Sequence, residues 1–277
     1  MKRLLVTGGS SFLGYRLLEQ LPREQAAAIC YWRNRPETEI PAWSVDMRDR
    51  AGVVGLIKRW RPEVIIHLAG SNRGESMEEV IVAGTRHVVE GCREVGARLI
   101  FMSTDVIFDG REGPYDESGV GRPLHGYGRA KVAAEGIVGG YDEGVIVRTS
   151  LIYDVERRDH GTQWIERALR AGEEVTLFTN QWRNPIEASS LAAACLELAE
   201  SNYRGVLNVA GEQEMTRAVY AQKLLAWFEV AERDKVVLGE ADGGRWPLDT
   251  RLDISRAKEV LATPLLGVDA VLAAARG

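Results

Sequence analysis

The stretch Leu4-Leu5-Val6-Thr7-Gly8-Gly9-Ser10-Ser11-Phe12-Leu13-Gly14 reads as a strand, a tight turn and the start of a helix. Arg3–Thr7 is the strand, largely apolar as a strand covered on both faces of a parallel sheet should be. Phe12–Leu21 is the helix, and the turn before it holds only small residues. Small residues let the backbone turn sharply and approach a pyrophosphate, while the helix start packs against the sheet. The helix N-terminus adds unpaired N–H groups and a partial positive charge. A dinucleotide phosphate is therefore predicted on Gly8, Ser10, Ser11, Phe12, Leu13 and Gly14. Counted from Gly9 as G-x-G-x-x-G, the middle glycine is Ser11.

The same rhythm continues outward. Ala27–Tyr31, Trp43–Asp46, Glu63–Leu68, Arg98–Ser103 and Gly144–Thr149 read as strands. Arg48–Trp60, Met77–Val95 and Gly126–Val138 read as helices, the second stopped by Gly96. Such alternation predicts an α/β protein with a doubly wound parallel sheet and right-handed helical crossovers. After Thr149 the rhythm breaks at a charged loop, Asp154–His160. Helices over Gln163–Ala171, Ser189–Ser201 and Thr216–Val230 then mix with strands at Glu174–Phe178 and Gly205–Val209. This divides the chain into a cofactor-binding domain over 1–153, with a returning segment near 185–210, and a smaller, mostly helical substrate-binding domain over 154–277.

Bulk properties narrow the classes. Of the 277 residues, 45% are hydrophobic and 27% charged, as in ordinary globular proteins. A net charge of -5 gives no general attraction to nucleic acid or to anionic membranes. The apolar run starts at Leu4, leaving no room for a secretory leader, and no 18 consecutive apolar residues occur. Cys30, Cys92 and Cys195 are far apart in apolar surroundings and read as buried free thiols. Together these features predict a cytoplasmic protein. His67, His87, His125 and His160 lack ligand spacing, so no metal is predicted.

Further residues carry chemistry. The second strand ends in Tyr31-Trp32-Arg33-Asn34-Arg35 with no carboxylate before Glu37, where a carboxylate would bind the ribose of NAD. Arginine forks there suit the 2′-phosphate of NADP(H), with Asn34 between them. Asp46 and Met47, after the third strand, are placed to meet the adenine. Tyr127 and Lys131, four apart, share one helix face. A cation there is expected to lower the phenol pKa towards neutrality and make it a general acid or base. Thr104, at the carboxyl end of the fifth strand, is placed to hold a substrate carbonyl. Trp182 and Arg183 are candidates for a nucleotide base and its diphosphate.

The chain resembles the extended short-chain dehydrogenase/reductases, in particular the dTDP-4-dehydrorhamnose reductases. The residues that carry the resemblance are T-G-G-S-S-F-L-G (7–14), R-P-E-V-I-I-H-L-A (61–69), S-T-D-V-I-F-D-G (103–110), P-Y-D-E (114–117), P-L-H-G-Y-G-R-A-K (123–131), R-T-S-L-I-Y (148–153) and R-L-D-I-S-R (251–256). The resemblance implies a Rossmann-type fold and NADPH-dependent reduction of a nucleotide-linked 4-keto-6-deoxy sugar. It assigns Thr104 to the carbonyl, Tyr127 to proton donation, and Lys131 to the cofactor ribose and to Tyr127. Leu68, Ala69 and Gly70 would line the adenosine and ribose, and Asp105, Phe108 and Arg245 would join Thr104, Trp182 and Arg183 on the substrate side. A homodimer is compatible with it. Beside the Arg-Pro pair interrupted as Arg245-Trp246-Pro247, four positions depart from the family pattern: Ser11, and the apolar Ile81, Val106 and Leu151. The last three predict a pocket poorer in hydrogen bonds and a sugar more deoxygenated, or differently configured, than dTDP-4-dehydrorhamnose. Val106, where dehydratases of this superfamily carry Glu, weighs against dehydration. The alternatives are a sugar-nucleotide epimerase or dehydratase, and an NADP-binding regulatory subunit like that of methionine adenosyltransferase.

Overall fold

The computed structural model describes residues 2–70, 74–231 and 233–276. The first part of the chain runs β1 (Leu4–Thr7), α1 (Phe12–Gln20), β2 (Ala27–Tyr31), β3 (Ala42–Ser44), α2 (Arg50–Trp60), β4 (Val64–His67), α3 (Met77–Val95), β5 (Arg98–Met102), α4 (Gly126–Gly139) and β6 (Gly144–Arg148). It continues through β7 (Ile152–Tyr153), α5 (His160–Arg170), β8 (Val175–Phe178), β9 (Trp182–Arg183), β10 (Ile186–Glu187), α6 (Ala188–Glu200) and β11 (Gly205–Asn208). The last elements are β12 (Met215–Thr216), α7 (Arg217–Trp227), β13 (Val236–Gly239), α8 (Ser255–Val260) and α9 (Val268–Ala274).

Seven strands form one parallel sheet in the order β11-β6-β5-β4-β1-β2-β3. Alternate residues of each strand serve opposite faces. Leu4 and Val6 pack with α1 and α6, whereas Leu5 packs with α2, α3 and α4. This is the doubly wound α/β architecture that the sequence predicts. Because α1 leaves β1 on one face and α3 leaves β4 on the other, a crevice opens beyond the carboxyl ends of these neighbouring strands. The predicted helix from Arg48 begins only at Arg50. Asp49 N–H closes a turn on the Asp46 carbonyl at 3.0 Å, which leaves Asp46, Met47 and Arg48 as a loop facing that crevice.

The later part of the chain is held by short pairings: β7 with β10, β9 with β12, and β8 with β13. Two isolated bridges, Tyr115 to Leu252 and Trp182 to Asp249, lace the C-terminal segment across the first part. The chain re-enters the main layers where α6 packs on α1 and β11 adds to β6. Arg16 of α1 clamps the carboxylate of Asp154 with two bonds of 2.5 and 2.6 Å, both residues buried. No described helix is long and apolar enough to cross a membrane.

Candidate active site

The glycine turn is built as its residue types require. Gly8 sits at φ +69°, and a Cβ there would lie 2.8 Å from the backbone N of Ala69. A side chain would therefore close the space where β1 and β4 diverge. Ser11, in place of the middle glycine, is the N-cap of α1, its hydroxyl accepting the Gly14 N–H at 3.0 Å. Leu13 points into the core, so Phe12, Leu13 and Gly14 contribute only the start of the helix.

From this turn a cleft of about 590 Å³ runs past Tyr31, Trp32 and Arg33, then Asp46–Arg48, Leu68–Gly70 and Gly74–Met77. Gly8, Ser10, Ser11, Arg33, Asp46, Met47, Leu68, Ala69 and Gly70 all line it. Asn34 and Arg35 do not; both are exposed beyond its edge. In their place the structure brings in Arg48, which the sequence reading missed. Its guanidinium holds the Asp46 carboxylate at 2.6 Å and reaches Ser76 Oγ at 3.3 Å. The Arg48 bonds, with a further contribution from Arg33, keep the Asp46 carboxyl below the usual range despite partial burial. The one sequence signal for Arg48 is its place two residues after Asp46.

The cleft floor rests on a buried relay. Ala69 N–H donates to Thr7 Oγ1 at 3.3 Å, and Thr7 Oγ1 lies 2.6 Å from His67 Nδ1. His67 Nε2 lies 3.2 Å from Thr85 Oγ1, whose hydroxyl donates to the Ile81 carbonyl at 2.6 Å. Because Thr85 spends its proton on Ile81, it accepts from His67 Nε2–H, and Thr7 then donates to Nδ1. His67 is neutral: burial, then the charge of Lys131, lowers its pKa to about 3.

At the far end of the cleft, a Cβ built on Gly70 would lie 3.6 Å from Lys131 Nζ. Lys131 is buried on α4, donates to the Met102 carbonyl at 2.8 Å, and stands 5.9 Å from the centre of the Tyr127 ring. Burial pushes its pKa down to about 8, partly offset by Glu135 one turn further on. Glu135 is itself fixed by Ser103 Oγ at 2.5 Å and Arg148 at 2.9 Å. Thr104 follows β5 with its hydroxyl held only loosely, 3.4 Å from both Asp105 Oδ1 and the Val106 N–H. The expected lowering of the Tyr127 pKa is reversed. Burial, and then the Asp105 carboxylate, push the phenol up to about 12. At neutral pH Tyr127 is a protonated acid, with Lys131 beside it.

Three residues expected on the substrate side serve the scaffold instead. Asp105 is buried, accepting Ser150 Oγ at 2.8 Å and Thr250 Oγ1 at 3.0 Å. Arg183 is buried, with its fork on the carbonyls of Trp182, Leu248 and Pro247 and its Nε 3.5 Å from Asp105. Phe108 is fully buried and stacks on Tyr115 at 3.9 Å. Trp182 is accessible, 41% exposed, with Arg251 5.5 Å from its ring centre. Arg245 is exposed next to Trp246, whose ring packs 4.9 Å from that of His125, two residues before Tyr127. Of the apolar departures, Ile81 is fully buried and Leu151 packs with Tyr153 and Tyr220. Val106 is half-buried.

Residues 1–265 match the family model of the RmlD substrate binding domain. The chain is 32% identical over 256 residues to a dTDP-4-keto-6-deoxy-D-glucose reductase of Streptomyces niveus, covering 88% of this chain and 81% of that protein. It is 29% identical over 234 residues to the methionine adenosyltransferase 2 subunit beta of Xenopus laevis, covering 78% of this chain and 69% of the relative. Among solved structures it superposes on a hypothetical dTDP-4-dehydrorhamnose reductase from Sulfolobus tokodaii with a TM-score of 0.84, at 28% identity over 98% of each chain.

Proposed function

The chain belongs to the family of the RmlD substrate-binding domain, and on that premise we propose an NADPH-dependent reductase of a nucleotide-linked 4-keto-6-deoxy sugar. One observation carries the reading: a cleft runs from an open glycine turn, past two arginines, to Gly70, next to which stands the buried Lys131, 5.9 Å from the Tyr127 ring centre. The residues fit a nicotinamide dinucleotide phosphate. Gly8 would leave room for the pyrophosphate, Arg33 and Arg48 would meet the adenosine 2′-phosphate, and Lys131 beside Gly70 would hold the nicotinamide ribose. When bound, that cofactor supplies the hydride.

The protein's own residues do the rest. Thr104 offers a hydroxyl to the C4 carbonyl oxygen. Tyr127 gives its proton to that oxygen as the hydride arrives at C4, which leaves the sugar as a C4 alcohol and Tyr127 as a phenolate that regains a proton from solvent. A phenol held near 12 stays loaded at neutral pH, which suits reduction rather than oxidation. Lys131 offsets the negative charge that Tyr127 carries afterwards. Soluble redox and sugar nucleotides, together with three buried free thiols, support a cytoplasmic location.

A second reading, a binding-only regulatory subunit, is favoured by the likeness to the methionine adenosyltransferase subunit. Such a subunit needs the cofactor cleft but no proton path. Steady-state oxidation of NADPH with dTDP-linked 4-keto-6-deoxy sugars separates the two. Turnover that disappears in Tyr127→Phe supports the reductase; absence of turnover on every keto sugar, with NADPH still bound, overturns it.

A further inference from the structure

Arg183, the arginine expected to meet a diphosphate, is consumed by backbone carbonyls, but a second arginine, Arg217, is held near it by a single side-chain hydrogen bond among the described residues. Arg217 opens α7, and the pairing of β9 with β12 places it next to the accessible Trp182. Its main-chain N–H donates to the Gln181 carbonyl at 2.8 Å, and its Nη1 to Gln181 Oε1 at 3.3 Å. Gln181 is buried and fixed in turn by the Pro247 carbonyl at 3.2 Å, so the guanidinium is aimed rather than loose. Among the described residues no carboxylate forms an ion pair with it.

Arg217 is solvent-accessible, yet enough protein surrounds it that lost hydration lowers its pKa. Gln181, which holds the Arg217 guanidinium, is two residues from Arg183, whose Nε lies 3.5 Å from the Asp105 that follows Thr104. Stability does not explain the residue. A cation in the first turn of a helix opposes the macrodipole, and Arg183 adds like charge nearby. A dianionic ligand would relieve both effects.

We propose that Arg217 binds the diphosphate of the nucleotide-linked substrate, beside Trp182, and so anchors the sugar in front of Tyr127. The inference rests on the nucleotide-sugar reading above and adds the residue that grips the carrier. A guanidinium suits adjacent phosphate oxygens because it offers paired N–H donors in one plane.

Calorimetric titration of the full chain, saturated with NADPH, with dTDP, UDP and dTMP tests it. Arg217→Met keeps the aliphatic stem and should weaken dTDP at least about tenfold, with a smaller loss for dTMP. Arg217→Lys, which keeps the charge but not the fork, should fall between. NADPH affinity should be unchanged in both, which also reports that they fold. If the unaltered chain binds dTDP or UDP and Arg217→Met binds it equally well, Arg217 is not the anchor. If the unaltered chain binds NADPH but no nucleoside diphosphate, the nucleotide-sugar reading fails and takes the anchor with it.

Discussion

The hydroxyl of Thr250 donates to Asp105 Oδ2 at 3.0 Å, joining residues 145 positions apart in the chain. The same oxygen accepts Ser150 Oγ and lies 3.5 Å from Arg183 Nε, so one buried carboxylate ties the end of β5 to the exit of β6, to β9 and to the C-terminal segment. Asp105→Ala would leave the Arg183 guanidinium buried with no carboxylate beside it. Removing one partner of such a pair costs about 3–5 kcal/mol. Urea denaturation of the variant should show a loss of that order, and Asp105→Asn a smaller one. A change within about 0.5 kcal/mol would mean that Asp105 is not the joint described here.

Tyr127 is expected to be the proton donor. Tyr127→Phe should lower turnover on any accepted keto sugar by about 10²–10⁴-fold while leaving NADPH affinity nearly intact. Lys131→Ala should harm both, because its ammonium faces Gly70 on one side and the phenol on the other. With the phenol raised to about 12, its proton is retained through the neutral range, so turnover should show no loss from Tyr127 ionisation between pH 6 and about pH 9. Full turnover in Tyr127→Phe would place the donor elsewhere.

The central sheet was legible because its strands are continuous apolar runs and its helices end at clear stops, as α3 does at Gly96. The strands β7, β9, β10 and β12 have two residues each and exist only because distant segments meet there, so no local pattern announces them. The same limit governs the site. Tyr127 and Lys131 share one helix, whose period places them on one face, whereas Arg48 reaches the cleft through the folding of separate segments. Asp105, Phe108 and Arg183 were misread for a different reason. A motif beside an active site includes residues that hold its loops, and spacing does not separate those from residues that touch ligand.

His67 makes a pH prediction that is independent of substrate. Its pKa is about 3 in the folded protein against 6.5 in an unfolded chain, so below pH 6.5 the unfolded state takes up the proton and the folded state does not. The stability from neutral His67 is complete above pH 6.5 and declines as pH falls towards 3, by up to about 1.4 kcal/mol per pH unit. Urea melts between pH 6.5 and 5, above the range of most carboxylates, should show this slope in the unaltered chain. His67→Gln should be less stable at pH 7, since Thr7 and Thr85 lose their present partner, but flatter with pH. Parallel slopes in the two proteins would assign the acid sensitivity to other groups.

Cofactor choice should turn on Arg33 and Arg48, and not on Arg35. The guanidinium groups of Arg33 and Arg48 line the cleft with the carboxylates of Asp46 and Glu75, and Arg48 already holds Asp46 at 2.6 Å, so the two arginines supply the donor forks that a 2′-phosphate needs. NADPH should therefore bind at least about tenfold more tightly than NADH. Arg33→Ala should reduce that preference by removing one donor. Arg48→Ala should reduce it further, because it both removes a donor and uncovers the Asp46 carboxylate, which repels a phosphate but can accept the 2′-hydroxyl of NADH. In Arg48→Ala, NADH affinity should therefore hold or rise while NADPH affinity falls. Arg35→Ala should change neither, since Arg35 lies outside the cleft. Calorimetric titration of both cofactors against the four proteins decides it. Equal affinities in the unaltered chain, or an unchanged ratio in Arg48→Ala, would remove the 2′-phosphate from this pair of arginines.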